Sequence, residues 1–329
     1  MRTSPRRAPR FALVLFVAYG VSIGCFEHEK PTPLERAETW LDAMPIDLEA
    51  LAARGYGDKK RLSELLGAYW KLYRYATPEH RSEIRARLQR FADYTHRPDY
   101  LDLAEVDDAQ FKKNSMSFLR VMWLLREMDF DITHLLGEFQ KIKDRMDAHL
   151  ESRGPWQKCM FARYYDLFGF EKPEAIMDTS RMKGPIGERL AIDDYHVARA
   201  YQLTHQVFVA FDYGAQRSQS RFDAADLAYL ETTLPALVVK AQRKRNWDLS
   251  AELMTCMIYL GIADHAEFGS AMDALLQAQN ADGSWGSYER ARPVYGEYTD
   301  AKYYLHTTAV VLETLVEHSK GSWQTSSSP

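Results

Sequence analysis

From Leu34 onward, hydrophobic positions recur with helical spacing, and no run shows the period-two alternation of a half-buried strand. Two kinds of helical segment can be told apart. In residues 79–94 (EHRSEIRARLQRFADY), 134–152 (HLLGEFQKIKDRMDAHLES) and 224–243, one apolar stripe backs onto a charged face. In residues 61–73 (RLSELLGAYWKLY), 115–125 (SMSFLRVMWLL), 158–170 (KCMFARYYDLFGF), 201–213 (YQLTHQVFVAFDY), 249–261 (LSAELMTCMIYLG) and 306–316 (HTTAVVLETLV), apolar side chains occupy nearly every face. A helix that is apolar all round must be covered all round, so the second kind lies inside and the first outside. The kinds alternate, which predicts six inner helices, each preceded by an outer one. The fourth outer element, between Glu171 and Leu190, is short or irregular.

Inner helices recur at intervals of about 40 to 55 residues, the range of helical repeats. Glycine ends three of them, at Phe168-Gly169, Tyr213-Gly214 and Leu260-Gly261, as expected of a left-handed C-terminal cap. Trp156 and Trp247 both stand just inside an inner helix. Outer–inner hairpins of this kind can close into a double ring, an α/α toroid, or stack into an open solenoid. Strongly apolar and aromatic inner helices suit a ring around a central cavity. The expected fold is therefore all-α, an α/α toroid over residues 34–319.

Composition adds limits. The chain has 329 residues and a formal net charge of −4, so nothing points to nucleic acid as a partner. Aromatic residues make up 12%, with 19 Tyr and 7 Trp. A large core is the simplest use for them, and a broad apolar cavity is the alternative.

The N-terminus reads as a targeting segment. Arg2, Arg6, Arg7 and Arg10 precede an apolar run over residues 11–24, too short for an ordinary membrane span and right for a signal sequence. Val21-Ser22-Ile23-Gly24-Cys25 resembles a bacterial lipobox, with Ser22 where that pattern has Leu. The expectation is a lipoprotein-type signal peptide over 1–25, lipidation at Cys25 and a tether over 26–33, which place the protein at the bacterial cell envelope. A secreted or periplasmic protein is the alternative. A disordered tail is expected over 320–329. Cys159 and Cys256 then remain to pair, to stay as buried thiols or to bind metal.

The stretch Gln279-Asn280-Ala281-Asp282-Gly283-Ser284-Trp285-Gly286 joins the last outer helix to the last inner one through a tight polar turn. It resembles the QxxDGSWG repeat of the terpenoid cyclase and protein prenyltransferase toroid superfamily. The resemblance implies an α/α toroid whose functional groups line the central cavity near the N-terminal ends of the inner helices. His205 and His306 lie on inner helices, and Asp248, Glu252 and Cys256 form one stripe at four-residue spacing on another. Imidazole, carboxylate and thiolate from neighbouring helices can make a zinc site with an open position, giving His205, Asp248, Cys256 and His306 as candidate ligands. His306-Thr307-Thr308 after a DGSWG turn is similar to the prenyltransferase β-subunit, where a His, an Asp and a Cys bind zinc. That family has Asp-x-Cys, whereas this chain has Asp248-Leu249-Ser250.

Glu252 is the acid–base candidate, and Asp193 and Asp194 are the nearest approach to the acidic motif of a terpene cyclase. Tyr201 and these carboxylates also suit a polysaccharide-active toroid. Tyrosines and arginines in the 287–304 loop are placed to line a cavity mouth. No P-loop, dinucleotide fingerprint, GxSxG elbow, HExxH or Cys-Gly-Glu-Gln thioester motif occurs. Two functions compete: a cavity enzyme, with zinc as cofactor, or a non-catalytic toroid that holds a small molecule, lipid, peptide or glycan.

Overall fold

The computed structural model describes residues 30–44, 47–48, 58–179, 184–217, 221–286 and 305–323. The signal segment, Cys25 and the tyrosine-rich 287–304 loop lie outside these residues. The described residues form thirteen α-helices and no strand. In chain order these are α1 (Pro33–Ala43), α2 (Asp58–Tyr75), α3 (Pro78–Tyr94), α4 (Asp108–Glu127), α5 (Thr133–Leu150), α6 (Pro155–Phe168), α7 (Glu174–Met177), α8 (Gly184–Glu188), α9 (Val197–Ala210), α10 (Ala224–Arg243), α11 (Trp247–Tyr259), α12 (Ala266–Gln277) and α13 (Leu305–Lys320). None of them is long and apolar enough to cross a membrane.

The two kinds of helix separate as their patterns require. In α2 every residue from Asp58 to Tyr73 except Lys60 is buried, and in α11 every residue from Leu249 to Tyr259. In outer α3 only Ile84, Leu88, Phe91 and Ala92 are buried. The inner helices α2, α4, α6, α9, α11 and α13 each contact the next, and α13 contacts α2. This cyclic adjacency is compatible with an α/α toroid. The fourth outer position holds only the short α7 and α8, as the irregular 171–190 stretch foretells.

Local chemistry sets the helix ends. Thr32 caps α1 in a reciprocal box: its hydroxyl accepts from Glu35 N at 3.2 Å, while Glu35 accepts from Thr32 N at 2.7 Å. Asp107 and Asp223 cap α4 and α10. Gly169 and Gly261 are left-handed, at φ 72° and 74°.

Two boundaries differ from the sequence reading. The fourth inner helix stops at Ala210 rather than 213, because Asp212, Tyr213 and Gly214 all take positive φ (50°, 52° and 90°). The tail expected from 320 also begins too early. Trp323 packs on Tyr259, with ring centroids 4.7 Å apart, and its Nε1 donates to Glu317 at 2.7 Å.

The Asp282-Gly283-Ser284-Trp285 turn joins the last hairpin to the first helix. Trp285 is fully buried; its Nε1 donates to Leu275 O at 2.7 Å and its backbone N to Thr308 Oγ1 at 2.9 Å. Gln279 donates to Pro33 O at 2.8 Å and accepts from Arg36. Gly283, at φ 97°, passes so close to α1 that a Cβ there would fall 2.3 Å from Arg36 O. The motif thus works as a seam between the last helical hairpin and α1.

Candidate functional site

All six inner helices contribute to one cavity of about 410 Å³. Its size is within the usual range for a small-molecule site, about 300–1,000 Å³. Met116, Met160, Phe208 and Val310 supply apolar wall, while Glu64, Arg120, Glu252, His306 and Glu313 supply charge. Trp156 and Tyr201 also line it.

A chain of polar contacts crosses the mouth. Tyr201 donates its hydroxyl to Asp248, and Asp248 Oδ2 lies 3.7 Å from His306 Nε2. His306 Nδ1 lies 3.3 Å from Glu64 Oε1. Arg61 donates to Glu64 Oε2 at 2.7 Å, and Lys60 adds a longer ion pair at 3.7 Å. Burial alone would raise the Glu64 carboxyl, but His306, Arg61 and Lys60 outweigh it and hold Glu64 at about 2. Burial likewise opposes the imidazolium of His306, and Glu64, Asp248 and Glu252 reverse that, raising its pKa. The His306 side chain remains 37% accessible, because it opens on the cavity.

Deeper in, the balance reverses. Glu252 on α11 is only 4% exposed, and burial lifts its carboxyl to about 7 against an opposing hydrogen bond from Thr204 Oγ1 at 2.5 Å. His205 on α9 lies 3.9 Å from Glu252 and stacks obliquely on Trp156, centroids 4.5 Å apart. Burial, with the positive charges of Arg120 and His306, lowers His205 to about 3, so it is a neutral imidazole. One cavity therefore holds an ionised glutamate, a histidine biased toward its cation, and a glutamate that titrates near neutrality.

Behind the cavity floor, where Tyr213 and Tyr259 lie, is a buried ion pair. Lys71 and Glu317 approach to 2.6 Å at 1% and 0% exposure. Lys71 also donates to Tyr259 OH at 2.8 Å and to Tyr213 O at 2.5 Å. Tyr213 lines the cavity from the left-handed turn, which Arg163 holds through Asp212. Two consecutive non-glycine residues at positive φ store strain at this floor.

The expected site residues separate into two groups. His205, Glu252 and His306 line the cavity, and Asp248 supports His306 from its rim. Cys256 does not join them. Its thiol faces Thr204 O at 3.7 Å between α9 and α11, and burial pushes its pKa well up. Cys159 is likewise a buried free thiol. Among the described residues no three His, Cys, Asp or Glu side chains stand together as a metal site. Asp193 and Asp194 are corrected as cavity residues. They lie exposed on a 3₁₀ turn (Ile192–Asp194) ahead of α9, which starts only at Val197.

Glu64, Arg120 and Glu313 were missed. Each is a charged side chain within a helix that is otherwise apolar all round, and that contradiction was readable in residues 61–73, 115–125 and 306–316.

Nothing matches among curated proteins or among solved structures. One family does match, over residues 34–312, which takes in five inner helices whole and the first half of α13. The chain belongs to this family, described as a domain of unknown function (DUF6895).

Proposed function

We propose that the protein is an enzyme of acid–base chemistry that acts on a small, largely apolar molecule held in the ring cavity. One observation carries the reading: Glu252, near neutrality, shares one cavity with a His306 held toward its cation by Glu64 and Asp248. Environments that push neighbouring titratable groups apart create separate acid and base roles at one pH. Glu252 takes or gives the proton at the reacting centre. His306 donates a hydrogen bond to negative charge that develops there, and Tyr201 and Glu64 fix its ring through Asp248 and directly. His205, neutral beside Trp156, positions the substrate. The resemblance to toroid enzymes supports the cavity as the working site, and the lipobox-like segment supports an envelope location with the anchor at Cys25.

The test is turnover. Purified protein is incubated with a small-molecule library in D₂O, and products and deuterium incorporation are read by mass spectrometry. Glu252→Gln and His306→Ala should each slow turnover by about 10²-fold or more, the usual contribution of a positioned acid or base. If ligands bind but none turns over, the reading fails in favour of a non-catalytic binding protein.

A further inference from the structure

We infer that the cavity takes a monocarboxylate, seated on Arg120 with its apolar body reaching up toward Glu252 and His306. This rests on the cavity being the working site, and it names the substrate class for that site. Arg120 projects from α4 into the cavity. Among the described residues it makes no hydrogen bond and no ion pair, and its Nε is buried without a partner. The face of Tyr213, 5.3 Å from the guanidinium, is its neighbour. A guanidinium in such a place is a planar fork of donors with nothing in it, and a carboxylate is the group that fits that fork.

Gly67 makes room for the seat. It lies mid-way along α2, where glycine disfavours helix. A Cβ there would stand 2.7 Å from Arg120 Nη2 and 3.2 Å from Glu313 Oε1. The two charged groups thus flank a bare stretch of backbone without pairing with each other. Lys60 is already engaged with Glu64, whereas Arg120, though it feels the charges of Glu313 and Glu64, has no carboxylate within ion-pair distance among the described residues.

The surrounding charges limit the ligand to one negative charge. Burial raises the carboxyls of Glu252 and Glu313 and so favours their neutral forms. A diphosphate would place several negative charges against one guanidinium, with no second unpaired cation among the described cavity residues. The dimensions agree with a compact acid. His306 and Glu313 lie seven residues apart on α13, about 10 Å along the axis at 1.5 Å per residue. Met116, Met160, Phe208 and Val310 provide the apolar wall for the body of the molecule.

The test uses purified full-length protein and calorimetric titration. The probes are a graded series from acetate to 4-phenylbutyrate, the matched primary amides, and inorganic pyrophosphate. At least one acid should bind about 10- to 100-fold more tightly than its amide, the range for a hydrogen bond to a charged group. Arg120→Gln should abolish that preference, and Arg120→Lys and Gly67→Ala should each weaken acid binding several-fold. Asp193→Asn, on the exposed turn away from the cavity, should leave it intact. If no acid outbinds its amide, if the preference survives Arg120→Gln, or if pyrophosphate binds more tightly than every acid, the inference is overturned. Should Arg120→Gln not fold by circular dichroism, unchanged affinity in both Arg120→Lys and Gly67→Ala overturns it equally. Arg120-dependent binding together with full turnover in Glu252→Gln would sink the acid–base reading alone and leave the carboxylate seat standing.

Discussion

Glu252→Gln should change how stability depends on pH. In the folded protein burial lifts this carboxyl from 4.5 to about 7. Between those values the unfolded chain has lost the proton and the folded chain keeps it. The folded state therefore binds more protons, and wild-type stability falls as pH rises through the window. The gap corresponds to about 3 kcal/mol, fully expressed above pH 7 and absent below pH 4.5. Glutamine keeps the shape and has no proton to lose. The stability of the variant relative to wild type should then rise by about 3 kcal/mol from pH 4.5 to 8. The groups that face Glu252 are Thr204 and His205 on α9, Asp248 on its own helix, and His306 and Glu313 on α13. All are retained in the variant. Urea unfolding at fixed ionic strength, followed by tryptophan fluorescence and far-ultraviolet circular dichroism, measures the difference at each pH. A difference that stays constant within about 1 kcal/mol would show that Glu252 titrates as an ordinary surface carboxyl, and the acid–base assignment would lose its basis.

Three further outcomes are expected. Lys71→Met should destabilise by about 3 kcal/mol in urea unfolding, because it leaves the fully buried Glu317 with only the longer Arg74 ion pair at 3.5 Å, while Lys71→Met with Glu317→Leu should recover much of the loss. Gly283→Ala should cost about 2 kcal/mol or more in the same assay, since the position combines φ 97° with a Cβ 2.3 Å from Arg36 O. Cys25→Ser should move the protein from the detergent-extracted membrane fraction to the soluble fraction and abolish labelling by radioactive palmitate; unchanged fractionation would refute the lipid anchor.

How much was legible in the chain follows from the range of each interaction. The inner and outer helices could be read from residues 61–73 or 79–94 alone, because an all-apolar or one-striped helix states its own burial. The DGSWG turn could be placed because Asp and Gly carry local backbone preferences. Glu252 and His306 were found because polar groups on buried helices stand out. What stayed hidden depends on neighbours far along the chain. Glu64 and His306 are distant in sequence, and only the contact of α2 with α13 brings them to 3.3 Å. Cys256 shares a stripe with Glu252, yet it faces a backbone carbonyl of α9 rather than the cavity. Asp193 and Asp194 lie on an exposed turn ahead of α9, which begins at Val197. The sequence by itself thus determined the helices, their sidedness and the turn between the last outer and last inner helices, since propensity and periodicity act over one or two turns. Only the tertiary structure decided which charges share the cavity and which of them keep their protons, because desolvation and Coulomb energy depend on distances that the order of residues does not contain.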